Sequence, residues 1–196
     1  MYKRQPIQLI TAIAAAVNGG YLVQPHVVKQ VVDSDGNVVE NIEPEVKRQV
    51  ISQETSNFMR ELLENVVTNG SGKNAYVAGY RVGGKTGTSQ KQNLKNEDGS
   101  ITKYISSFCG IAPADDPEIA IIVLLDEANV ANYYGSAIAA PVVGQIFEEV
   151  LPYMDIEAVY TDKELAEMDI KVPDVQGKGV AEAKNAIREV DTDIKI

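Results

Sequence analysis

Residues 79–90 read GYRVGGKTGTSQ, and two kinds of chemistry fit those letters. Gly79, Gly84, Lys85 and Thr86 satisfy G-x-x-x-x-G-K-[ST], the pattern of a loop that wraps a nucleotide phosphate. Lys85, Thr86 and Gly87 also satisfy K-T-G, a strand motif of serine acyl-transfer sites. The two need different backbones. In a phosphate loop, amide N–H groups and a helix N-terminus converge on the anion, so a helix must begin at Gly84-Lys85-Thr86. K-T-G needs an extended strand edge beside a cleft, where an acyl donor can pair through main-chain hydrogen bonds. Gly87 lets that donor approach closely. Lys85 supplies positive charge, and Thr86 and Thr88 supply hydroxyls, for a substrate carboxylate. A backbone N–H after the glycine, that of Thr88, can point at a developing oxyanion.

The flanking sequence favours extension. GTSQKQNLKNEDGS follows the lysine and the first threonine, and its one large apolar residue is Leu94, so no amphipathic helix begins there. Upstream, NAYVAG is too short and mixed for a buried parallel strand. Asp126-Glu127, at the end of IAIIVLLDE, imitates the acidic pair that holds Mg²⁺ in nucleotide hydrolases, but it reads as the solvated end of a strand. The nucleotide reading stands as the alternative, separated from K-T-G by helicity or extension over residues 86–96.

Elements able to hold such a strand surround it. Pro6 fits a first helical turn, Ile7, Ile10, Ala14 and Val17 share one helix face, and Asn18-Gly19-Gly20 stops it. That pattern outweighs the superficial likeness of residues 1–17 to a secretory signal. YLVQPHVVKQVVDSDGNVVENI predicts a hairpin around Asp33–Asn37, with His26 in a structural role. Ser52 and Glu54 open a helix whose expected apolar face is Phe58, Leu62, Leu63, Val66 and Val67. Strands are predicted over 80–89, 104–111 and 118–126, and a last helix over 137–150 with Pro141 near its start. The fold class is therefore α+β: an antiparallel sheet with flanking helices.

Composition bounds function. The 196 residues are 44% hydrophobic and 23% charged, enough for one packed domain plus a fragment of a second. A net charge of −10 argues against nucleic acid and weakens any claim to an anionic membrane surface. One Cys, Cys109, and one His are too few for a zinc site of the usual kind, and no cofactor is implied. The apolar run Ile119–Leu125 is far short of a membrane span.

In family order, the segments resemble the C-terminal half of the transpeptidase domain of a class B penicillin-binding protein. PIQLITAIAAAVNGGYLVQPHVV resembles the helix-and-hairpin segment after the family's second motif. GYRVGGKTGTSQ resembles its third-motif strand, SSFCGIAPADDPEIAIIVLLDEA the next two strands, and YYGSAIAAPVVGQIFEEVL the closing helix. VPDVQGKGVAEAKNAI resembles the opening of a PASTA domain, a small α/β module.

The resemblance implies residues 1–151 as the C-terminal part of the transpeptidase domain, 152–171 as a charged linker and 172–196 as the start of a truncated PASTA module. It implies a D,D-transpeptidase that crosslinks peptidoglycan stem peptides through a serine acyl-enzyme and binds β-lactam antibiotics. Lys85 would orient the nucleophile and hold the proton network. Lys85, Thr86, Gly87 and Thr88 would bind the donor carboxylate, with the Thr88 N–H as an oxyanion donor. The family's nucleophilic Ser, in S-x-x-K, and its S-x-N element precede everything matched here. No S-x-x-K is expected within this chain, which alone is accordingly expected to be inactive. The intact protein would be anchored in the membrane, act outside the cytoplasm in a cell-wall synthesis complex, and serve division or sporulation. A non-catalytic wall-binding module is a further alternative.

Overall fold

The computed structural model describes residues 5–92, 94–168 and 173–190. It divides into two compact units, one ending at Ala158 and one beginning at Val159.

The first unit opens with helix α1, Pro6–Val17. Proline occupies the first turn, where its missing N–H costs nothing, and the Gln5 N–H donates to Gln8 Oε1 at 2.9 Å. Gly19 and Gly20, at φ 91° and 88°, turn the chain out of the helix, and a Cβ on Gly20 would collide with the Ile51 carbonyl. Helix α2, Gln53–Thr68, begins as the sequence predicts: Ser52 Oγ accepts from the Thr55 N–H at 3.1 Å. Its buried face differs from the expected one. Ser56, Leu63 and Val67 are buried, whereas Phe58 and Leu62 are 58% and 44% exposed. The Gly19 N–H donates to Ser56 Oγ at 3.0 Å, so a polar residue seats α2 against the end of α1.

Four short strands lie between these helices. β2 (Gln30–Val32) and β3 (Val38–Asn41) pair antiparallel around Asp33–Asn37, as predicted. Gly36 takes φ 85°, and Asp33 Oδ1 accepts from the N–H groups of Asp35 and Asn37. The predicted hairpin does not extend to Tyr21. β1 (Tyr21–Val23) pairs instead with β4 (Val46–Gln49), whose polar sequence VKRQ carries no strand signal.

The central sheet has the order β5–β6–β7, antiparallel throughout: Gly83–Gln90, Tyr104–Ala112 and Ile119–Asp126. Both its faces are covered. On one side Val143, Phe147 and Leu151 of helix α4 (Ala140–Tyr153) pack with Phe108, Ile121 and Val123. On the other, Val17 and Leu63 pack on Ile111 and Ala120. This explains why β7 is apolar on alternate and adjacent positions alike. Each fully buried large side chain, such as Phe147 or Leu151, contributes about 1.5–3 kcal/mol through removal from water. The expected single closing helix is broken: α3 (Gly135–Ile138) ends at Ala139 and α4 begins at Ala140, with Pro141 in its first turn.

In the second unit, helix α5 (Asp162–Met168) forms inside the stretch expected to be a linker. Thr161 and Glu164 cap it reciprocally: the Thr161 N–H donates to Glu164 Oε2 at 2.6 Å and the Glu164 N–H to Thr161 Oγ1 at 3.2 Å. Further on, a turn at Gly177 (φ 78°) leads into α6, Val180–Val190. The expected module at 172–196 lies only partly within the described residues.

Candidate functional site

β5 is an outer strand; among the described residues no strand pairs with its other side. Two glycines lead into its chemical letters. A Cβ on Gly83 would press on the α2 backbone at Glu64 N (3.2 Å), and one on Gly84 would strike the Phe108 ring and the Cys109 carbonyl (2.8 Å). Only glycine lets α2 and Phe108 close this tightly around the strand. The register then sets Lys85 opposite Cys109, Thr86 opposite Phe108, Gly87 opposite Ser107 and Thr88 opposite Ser106.

Because residues 83–90 are extended and no helix begins at Lys85, the backbone amides there cannot converge on a phosphate. The nucleotide alternative is therefore corrected. Asp126 and Glu127 are likewise accounted for: Lys91 Nζ lies 2.6 Å from Asp126 and 2.7 Å from Glu127, and Lys103 Nζ lies 3.0 Å from Glu127. These hydrogen bonds from Lys91 and Lys103 hold the Glu127 carboxyl below its ordinary value. The network ties both ends of the β5–β6 connection to the end of β7.

Lys85 differs from these lysines. It is exposed and makes no ion pair among the described residues; its Nζ donates to the Thr86 carbonyl at 2.8 Å and lies 3.5 Å from Thr86 Oγ1. Thr86 Oγ1 is in turn 3.2 Å from Ser71 Oγ. Thr88 is exposed, and its Oγ1 accepts from the Gly135 N–H at 3.1 Å. The four expected site residues thus form one continuous edge, with an uncompensated ammonium beside hydroxyls that can donate to an anion.

Several side chains here were not singled out from the sequence. Ser71 reads as part of a helix-stopping N-G-S-G cluster and as a hydroxyl with no Lys three residues on, yet it reaches Thr86. Tyr104 and Tyr133, far apart in the chain, stack with centroids 4.1 Å apart and planes at 15°; Tyr134 lies 5.0 Å from Tyr133. Tyr104 and Tyr133 line a hollow of about 280 Å³ together with Lys103, Ser106 and Glu127. No spacing signal links 104 to 133, since a β-strand, a loop and a turn intervene.

The letters S-x-x-K occur once, at Ser100–Lys103, contrary to the expectation that the chain holds no such element. Its geometry is not that of a nucleophile and its base. Ser100 Oγ donates to Asp98 Oδ1 at 2.6 Å, Lys103 pairs with Glu127, and the segment is not helical, so no helical turn juxtaposes the two side chains.

Residues 3–148 match the penicillin-binding protein transpeptidase domain. The chain is 40% identical over 194 residues to stage V sporulation protein D of Bacillus subtilis (strain 168), covering 96% of this chain and 30% of that protein. It is 41% identical over 98 residues to peptidoglycan D,D-transpeptidase FtsI of Escherichia coli (strain K12), covering 49% of this chain and 16% of that one. Penicillin-binding protein 3 of Mycobacterium tuberculosis, solved with ampicillin, superposes with a TM-score of 0.64 at 28% identity over 80% of this chain and 36% of its own. The apo transpeptidase domain of penicillin-binding protein 3 from Burkholderia pseudomallei gives 0.61 at 31% identity, over 77% and 43%. This chain belongs to the penicillin-binding protein transpeptidase domain family. It spans less than half the length of each of these relatives.

Proposed function

We propose that this chain forms one wall of the cleft of a peptidoglycan D,D-transpeptidase, the remaining wall and the nucleophilic serine being supplied by preceding sequence of a longer polypeptide. The observation that carries the reading is the outer strand β5, with the unpaired Lys85 ammonium beside the Thr86 and Ser71 hydroxyls. An extended D-alanyl donor would lie along β5 as an added strand. Its terminal carboxylate would take hydrogen bonds from Thr86 and Thr88 and the charge of Lys85. The serine Oγ would attack the penultimate carbonyl, the oxyanion forming against the Thr88 N–H. Collapse of that adduct expels the terminal D-alanine and leaves an acyl-serine ester; an amine of a second stem peptide would then attack its carbonyl, forming the crosslinking amide and releasing the serine hydroxyl. A β-lactam would enter by the same contacts. Activity is placed outside the cytoplasm, in a membrane-anchored protein working within a cell-wall synthesis complex. The likeness to a Bacillus sporulation protein supports sporulation as the setting, and the stretch from residue 172 is read as the beginning of a PASTA module.

The test is a chimera in which residues 6–151 replace the matching segment of the Bacillus protein. A fluorescent penicillin should label the folded chimera in a hydroxylamine-sensitive ester and should not label the 196-residue chain alone. A folded chimera that stays unlabelled while the Bacillus parent reacts would sink the proposal, as would stoichiometric labelling of the chain alone.

A further inference from the structure

Gly135 opens the short helix α3, and its N–H, like any first-turn amide, has no acceptor within the helix. It finds one in Thr88 Oγ1, at 3.1 Å. The turn that carries it is held independently at both ends. Ser106 Oγ donates to the Tyr133 carbonyl, and Asn74 Nδ2 donates to the Ser136 carbonyl at 2.9 Å. Gly135 itself sits directly on the β5–β6 ladder: a Cβ there would run into the carbonyl oxygens of Gly87 and Ser107 and come within 3.0 Å of the Ser107 nitrogen. Three contacts from three different elements thus fix the position of one donor before any ligand arrives.

A threonine hydroxyl has one proton and two acceptor lone pairs. With a backbone N–H already directed at the oxygen, that proton cannot point toward Gly135. No acceptor for it is seen among the described residues, and Thr88 is exposed. The proton is left for something outside the chain.

We propose that Gly135 is a positioning residue for the acyl-donor site: seated on the Gly87–Ser107 pair, its N–H locks the Thr88 hydroxyl so that its proton is presented to the donor's carboxylate. This rests on the reading of Thr88 as a carboxylate contact. It adds that the contact is built by the turn at 133–136 and requires glycine at 135. A side chain at that position would lift the turn, release the hydroxyl to rotate among its staggered states, and weaken recognition of the carboxylate selectively.

Two measurements test it. In the 196-residue chain, hydrogen exchange at the Gly135 amide should be slow, at least tenfold faster in Thr88→Val, and slow again in Thr88→Ser, which keeps the oxygen. Equal Gly135 exchange in wild type and Thr88→Val would show that the lock does not exist. In the chimera, acylation by a penicillin should be compared with acylation by its methyl ester. Losing a hydrogen bond to a charged group typically costs about ten- to a hundredfold. Gly135→Ala and Thr88→Val should therefore shrink the preference for the free carboxylate by about that factor, and Thr88→Ser should retain most of it. A general loosening of the fold would slow both probes alike, and that outcome overturns the proposal. A chimera with Gly135 intact that is never acylated would instead indict the transpeptidase reading, while the exchange experiment still decides the lock.

Discussion

Gly84 and Phe108 occupy each other's space across the first two strands of the central sheet: the wholly buried ring lies where a Cβ on Gly84 would have to be. The ring also packs in the core with Val143 and Phe147 of α4, so it cannot swing aside. The residue before Lys85 is therefore fixed by the core as much as by the strand. Gly84→Ala should destabilise the chain by about 1–3 kcal/mol, the usual cost of overpacking. Denaturant unfolding checks this; an unchanged midpoint would show that Phe108 yields.

Lys85→Ala in the chimera removes the edge ammonium. If the lysine stabilises charge during acylation, the second-order rate with a β-lactam should fall on the order of a hundred- to thousandfold. A solvated surface lysine would cost only a few tenths of a kcal/mol in stability and nothing in rate. Equal acylation at equal stability would assign Lys85 to the solvated class.

Cys109 faces away from solvent opposite Lys85, and burial pushes its thiol up to about 12. Only the thiolate reacts readily. A thiol reagent near pH 8 should leave the native chain unmodified and label it only as fast as the protein opens. Rapid stoichiometric labelling without denaturant would contradict the burial.

Glu127 anchors Lys91 and Lys103, and its carboxyl is depressed from 4.5 by their hydrogen bonds. A lowered folded value means its contribution is present above the unfolded value and lost as the pH falls through the lowered one. The tie between the β5–β6 connection and β7 should therefore loosen only as the pH falls below the ordinary range of a glutamate carboxyl. Glu127→Gln should flatten the acid side of the stability profile and speed exchange in residues 91–103 already at pH 7. An acid limb identical to wild type would remove Glu127 from the account.

Much of this architecture is legible in the sequence where one local signal suffices. Ser52 with Glu54 marks the start of α2, Asp33–Asn37 marks a hairpin, and the polar stretch after Lys85 separates a strand from a phosphate loop. The T-D-K-E at 161–164 is a capping box of the same local kind, hidden because the charged surroundings read as a linker. What stayed out of reach depends on distant packing. β4 is a strand because β1 lies beside it, not because VKRQ prefers one. Leu63 rather than Leu62 is buried because α1 and Ile111 meet α2 on that side. At the site, Lys85–Thr88 could be found from a motif, whereas Ser71, Tyr133 and Gly135 matter only through residues 15 to 47 positions away.

The outer strand carries a cost in a crowded solution. A strand edge that no other strand covers is as good a template for a second copy of β5 as for any peptide, and edge-to-edge association of this kind leads to aggregates. The charge that would draw a carboxylate in would also keep like strands apart. Two antiparallel copies paired about Lys85 would bring their ammonium groups together, and a net charge of −10 adds repulsion at longer range in any register. High salt screens both, so self-association should appear there first.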